Sequence, residues 1–217
     1  NSRAAEATTG WTPASPRCGD VIMAASVASM DRRGSDRNAA TPDSVSPLYI
    51  DALLTYEDRW FRWHPGVNPF AMLRAAAQWI RGGGIVSGGS TLTMQVARIL
   101  ERDPGHSTRS LPGKLVQMLR ALQLEAHLSK DEILTLYLER APFGGTIEGV
   151  DAASWAYLGK PASRLSQAEA ALLAVLPQAP SRLRPDRNPD AARAARDKVL
   201  ERMAALRLWT RAEVDDA

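Results

Sequence analysis

The chain lacks the residues from which the common cofactor sites are built. One cysteine, Cys18, occurs in 217 residues, which excludes an internal disulfide and any cysteine-ligated metal cluster. His64, His106 and His127 are the only histidines, and they stand too far apart to form a ligand set, so a histidine-based metal site is not expected. No window reaches the ~18 consecutive apolar residues of a membrane-crossing helix. The longest apolar run, Val21 to Met30, is short, follows an acid and has no basic segment before it at the chain start, so it does not read as an export signal. Alternating runs of β-branched residues are also missing, which disfavours a sheet-based fold.

What is present favours helix. Alanine recurs in runs, 45% of residues are hydrophobic and 24% charged, and the length suffices for one domain with a proper core. Residues 1–44, rich in Ser, Ala, Thr, Asn and Arg without sustained periodicity, read as a loose arm. From residue 45 onward helix follows helix, punctuated by Gly and Pro. The punctuation predicts helices over 48–64, 69–81, 90–102, 112–128, 147–158, 166–176, 190–206 and from 210. Ser129 with Glu132, Ser166 with Glu169 and Thr210 with Glu213 each have capping-box spacing, which gives those three glutamates a structural task at a helix start.

The net charge is only +3, but its distribution is uneven: Arg59 to Lys130 holds ten Lys or Arg against three acids, a local +7. Such a concentration suits a polyanionic partner, whether nucleic acid, anionic lipid head groups or a pyrophosphate, and is equally read as a solvated helical surface.

Three stretches invite chemistry. In TYEDRWFRWHPGVNP, residues 55–69, two adjacent carboxylates sit among aromatic rings. Asp58 precedes Arg62 by four residues, the spacing of a supporting helical ion pair. Glu57 falls at helical spacing with Trp60, Phe61 and His64, a mostly apolar face, and has no basic partner at plus three or plus four. A carboxylate so placed has a raised pKa and is a candidate general base; the plain alternative is a helix-end carboxylate reaching solvent. In GGGIVSGGSTLTMQVAR, residues 82–98, glycines including Gly89 leave backbone amides open, Ser90 or Thr91 can cap the next helix, and Gln95 and Arg98 follow within two turns. No Lys-Ser or Lys-Thr follows the glycines, so this is not a Walker loop; a Gly-rich hinge before a capped helix reads the same way. In PGKLVQ, residues 112–117, Lys114 and Gln117 share a face near a helix N-terminus, where the dipole adds to the lysine charge toward an anion; an exposed surface lysine is the alternative.

In this order, the stretches resemble the five motifs of the peptidoglycan glycosyltransferase domain of class A penicillin-binding proteins. EDRWFRWHPGVNP is similar to the first, GGSTLTMQVAR to the second, GKLVQ falls where the third lies, ILTLYLERAPFGG is similar to the fourth and LSQAEAALLAVLPQAPSRLRP to the fifth. The wording of RAPFGGTIEGVDAASWAYLGK and LPQAPSRLRPDRNP is nearest the 1C branch of that family. The match runs from about Val45 to Leu206.

The resemblance implies an all-α, lysozyme-like glycosyltransferase domain over residues 45–217, with a small mobile jaw at Pro69 to Val86 lying on lipid. It implies polymerisation of lipid II into β-1,4-linked glycan at the outer face of the bacterial cytoplasmic membrane. Glu57 would be the base, with Asp58 and Gln117 in supporting positions. Gly89, Ser90, Thr91, Gln95, Arg98 and Lys114 would bind the substrate pyrophosphate. No cofactor is obligatory, although Mg2+ or Mn2+ would assist the pyrophosphate. The implied partners are lipid II, the growing glycan, the membrane surface and other cell-wall synthesis proteins, and not nucleic acid.

The chain departs from the family pattern in several places. Where many members carry a second Glu after Arg-Lys in the third motif, this chain has Gln117, with Gly113 and Lys114 ahead of it; an amide neither takes a proton nor binds a divalent ion as a carboxylate does. Glu125, two turns on, is a poor substitute. Gln117 is compatible with the 1C branch, so inactivity is not inferred. Glu139 stands where the fourth motif usually has Asn. Neither the family's membrane anchor nor its transpeptidase domain shows, and no Ser-x-x-Lys follows the fifth motif, so the expectation is a piece of a longer protein or a divergent gene product. Two other readings are a lytic transglycosylase or muramidase, disfavoured by a basic stretch that glycan cleavage does not need, and an inactive fragment or helical nucleic-acid binder, disfavoured by the apolar, Gly-interrupted character of that stretch.

Overall fold

A computed structural model describes residues 40–70, 72–73, 89–101 and 111–217. Most of the expected arm at 1–44 and most of the expected jaw at 69–86 therefore lie outside the described residues. Of the latter, Pro69, Phe70, Met72 and Leu73 are helical.

The described elements run in order as α1 (Pro47–Glu57), α2 (Leu92–Leu100), α3 (Leu111–His127), α4 (Lys130–Arg140), a hairpin of β1 (Pro142–Gly144) and β2 (Ile147–Glu148), α5 (Val150–Leu158), α6 (Gln167–Val175), α7 (Pro189–Ala205) and α8 (Arg211–Asp216). The all-α expectation holds apart from the antiparallel hairpin, whose strands are too short for alternation to show in sequence.

Local chemistry sets the helix starts. Pro47 and Pro189 occupy first-turn positions, where a missing N–H costs nothing. Ser129, Ser166 and Thr210 close reciprocal capping boxes with Glu132, Glu169 and Glu213, as their spacing predicts. Two boundaries move. The helix expected over 147–158 starts at Val150, because Gly149 takes φ +84 and a Cβ there would lie 2.6 Å from the Glu139 carbonyl oxygen. The helix expected over 48–64 ends at Glu57, and residues 59–63 form turns instead.

The core gathers on α4, where Ile133 through Leu138 are all buried. A helix buried on every side is a central helix. Around it, α2 packs against α3 and α4, while α1 lies against α6 and α7. Tyr49, Leu53, Leu92, Val96, Phe143 and Leu173 join α4 in one buried cluster. Among the described residues no helix is long and apolar enough to cross a membrane.

One glycine ties the turn after α1 to this frame. Gly66 sits at φ +83, and a Cβ there would lie 2.7 Å from the Ala121 carbonyl oxygen on α3. Its own carbonyl accepts a hydrogen bond from the Thr91 hydroxyl at the start of α2. Gly66→Ala is expected to lower stability by about 3 kcal/mol, from left-handed strain and the backbone clash together, and the melting temperature by about 6–12 °C. A thermal melt matching wild type would remove this contact from the account.

Candidate active site

Glu57 ends α1, so its side chain projects where the helix stops and three parts of the fold meet. Gln95 of α2 donates its amide to Glu57 Oε2 at 2.7 Å. Gln178, in the short 3-10 turn after α6, donates to Oε1 at 2.7 Å. Burial pushes the Glu57 carboxyl above the ordinary carboxylate range; the two amides and the charge of Arg98 oppose that push, and the charge of Asp58 adds to it. The raised pKa expected of a general base is therefore present, but its cause differs from the sequence reading. Residues 60–64 are not helical, Trp60 is exposed, and the desolvation comes from tertiary packing rather than from an apolar helical face.

Asp58 is not the partner of Arg62. Arg62 reaches Asp131 at 2.5 Å, and the helix that would have paired Asp58 with Arg62 has already ended. Asp58 is buried and fully engaged. Its Oδ1 and Oδ2 lie 2.8 and 3.0 Å from His64 Nε2, and Oδ2 also accepts from the backbone N–H of Leu92 at 2.9 Å. That amide is one of the donors a helix start leaves unpaired, so Asp58 fastens the α2 N-terminus beside Glu57. With both oxygens so occupied, Asp58 is a structural anchor.

The second-motif residues divide between two tasks. Thr91 caps α2, accepting from Met94 N–H while donating to Gly66, and is 2% exposed; its hydroxyl is taken by the fold rather than held out to a ligand. Gln95 likewise spends its amide on Glu57. Ser90 and Arg98 are exposed and Gly89 half-buried. Lys114 Nζ donates to Ser90 Oγ. Burial, then the nearby charge of Arg98, lowers the Lys114 pKa below the ordinary lysine value. Arg98 thus acts electrostatically on both Glu57 and Lys114. Like charges held together are relieved by an anion between them.

Gln117 is buried on α3, one turn beyond Lys114. Glu125 is engaged elsewhere, accepting from Thr93 at 2.6 Å and pairing with Lys130 at 2.5 Å, so it is not free to replace a second catalytic carboxylate. Among the described residues no group of three or more His, Cys, Asp or Glu is placed to hold a metal. Sequence reasoning missed Gln178 and His64. Both lie inside quoted motifs, but their tasks are set by contacts that spacing alone does not reveal.

Residues 24–204 match the family model described as Transglycosylase. The chain belongs to the transglycosylase family. Penicillin-binding protein 1C of Escherichia coli (strain K12) is 61% identical over 187 residues, 86% of this chain and 24% of that protein. Penicillin-binding protein 1A of Pseudomonas aeruginosa is 45% identical over 160 residues, 73% of this chain and 19% of that protein. A crystal structure of penicillin-binding protein 1A from Haemophilus influenzae aligns with 58% of this chain and 15% of its own, at 26% identity and a TM-score of 0.39. The family model and the two curated relatives bear out the resemblance carried by the five motifs, to the 1C branch as well as to the wider family. This transglycosylase chain spans about a quarter or less of the length of the two curated relatives named here.

Proposed function

We propose that the chain is a peptidoglycan glycosyltransferase that polymerises lipid II, with Glu57 as general base. The observation that carries this reading is a buried carboxylate, Glu57, held by the amides of Gln95 and Gln178 within the field of Arg98. Glu57 takes the proton of the acceptor N-acetylglucosamine 4-hydroxyl. The freed oxygen electron pair forms the bond to C1 of the donor N-acetylmuramic acid, and the C1–O bond to the pyrophosphate breaks. Attack from the face opposite the leaving group converts an α linkage into β-1,4. Undecaprenyl pyrophosphate departs with its charge stabilised by Arg98 and Lys114, the latter hydrogen-bonded to the Ser90 hydroxyl.

The neighbours of Glu57 favour a base over an acid. Both of its oxygens face N–H donors, which stabilise the ionised form, whereas a general acid for glycan cleavage must hold its proton. The setting is a membrane surface at the outer face of the cytoplasmic membrane. Exposed Trp60, Trp63, Phe70 and Leu73, with Arg59 among them, supply the mixed apolar and basic character that lipid head groups accept.

In detergent, purified protein is expected to convert labelled lipid II into polymer and to leave preformed glycan uncut. Cleavage of glycan without polymerisation would establish the lytic reading instead. Any Mg2+ or Mn2+ that assists the reaction would be carried by the pyrophosphate. Gln117→Glu is expected to make turnover more dependent on divalent ion, because it places a carboxylate one turn from Lys114. Identical metal responses in the two forms would remove Gln117 from the mechanism.

A further inference from the structure

We propose that Gln178 is a positioning residue for the reaction: with Gln95 it clamps both oxygens of Glu57, so that the base is held between α2 and the turn after α6. The inference rests on the reading of Glu57 as the base. The geometry is a pair of 2.7 Å hydrogen bonds, one to each oxygen, from residues 38 and 121 positions away in sequence. Two donors on separate elements fix the plane of the carboxylate. Each oxygen keeps a further lone pair with which to accept a proton.

Neutral amides suit this task. A lysine or arginine at the same distance would stabilise the ionised form so strongly that it would no longer be a useful base, while an apolar residue would leave a buried carboxylate without compensation. The amides offset part of the burial and leave the carboxyl above its ordinary value. The other groups acting on this balance are Asp58, which raises it, and Arg98, which lowers it; the phenols of Tyr49, Tyr56 and Tyr137 also feel the charge of Glu57.

The sign of the effect follows. Removing a donor that favours the ionised form raises the pKa of Glu57, so the acid limb of the pH–rate profile moves to higher pH. Gln178→Leu is expected to lower kcat on lipid II by about ten- to a hundredfold, the range for a lost hydrogen bond to a charged group, with KM little changed. Gln178→Glu, nearly isosteric, replaces the donor with a second acid and should move the limb further.

The test pairs that profile with a carbon-13 NMR titration of the glutamate carboxyls in the whole chain, in which Glu57 is assigned by its absence from Glu57→Gln. Upward movement of the Glu57 titration, larger in Gln178→Glu than in Gln178→Leu, supports the clamp. An unmoved titration in both, or the reverse order, overturns it. The Gln178 side chain is exposed, so both variants should melt like wild type; if the leucine variant unfolds early, the nearly isosteric variant decides alone. A titration that moves as expected in a protein that makes no glycan would keep the clamp and reject the catalytic reading.

Discussion

Asp58→Ala is expected to lower stability by about 3 kcal/mol, because removing one member of a buried, hydrogen-bonded pair leaves the other unsatisfied. Here two partners are stranded together, His64 Nε2 and the Leu92 amide at the start of α2. For a chain of this length the melting temperature should fall by about 6–12 °C. Turnover should fall as well, since α2 carries both Gln95, which holds Glu57, and Arg98. Asp58→Asn keeps the shape and one acceptor oxygen, so it should lie between wild type and the alanine variant. Equal melting temperatures for wild type and Asp58→Ala would show that the His64 and Leu92 contacts contribute nothing. The prediction also separates the two adjacent acids: Asp58 acts through structure, so its loss must appear in a thermal melt, whereas the loss of Glu57 need not.

Glu57→Gln is expected to reduce lipid II polymerisation by at least about a hundredfold, since general base catalysis contributes roughly 10²–10⁴ in rate. The introduced amide matches the carboxylate in shape but cannot take a proton, and Gln95 or Gln178 turns its own amide so that its carbonyl accepts from the new NH2. Stability should change little or rise. The pKa of Glu57 in the folded protein is raised, so its contribution to stability is favourable below the unfolded-state value and is lost as pH rises through the folded-state value. Once ionised, the carboxylate is therefore a cost that the substitution removes, as is common at active sites. The same titration gives the rate its acid limb, with activity rising as Glu57 ionises. A Glu57→Gln variant with wild-type turnover would remove Glu57 from the chemistry.

Local features were legible in the sequence and tertiary ones were not. The capping boxes at Ser129, Ser166 and Thr210 could be read because each is complete within four residues. Helix existence was equally plain, and the ends moved where a backbone choice depended on distant contacts. At Asp58 the chain leaves the helix, and its carboxylate is bound by the amide of Leu92, 34 positions away. No spacing rule could distinguish this from the Asp58 and Arg62 pair that local reasoning predicts. Glu57 could be singled out for its lack of a basic neighbour, yet the amides that define its environment come from 38 and 121 residues along the chain. Thr91 and Gln95 lie in the motif that the resemblance assigns to the pyrophosphate, and spacing does not reveal that the Thr91 hydroxyl caps α2 or that the Gln95 amide reaches Glu57. Arg98 and Ser90 are exposed and Lys114 is half-buried between the two interactions it makes with them, so these three keep the proposed pyrophosphate role.

The most direct test of this account gives purified wild-type protein and Glu57→Gln labelled lipid II under the same conditions, and measures glycan and undecaprenyl pyrophosphate together. Wild type is expected to give β-1,4-linked polymer with one pyrophosphate released per linkage formed, and the variant almost neither product. Equal turnover by both proteins, or wild-type product without release of the polyprenyl pyrophosphate, would contradict it.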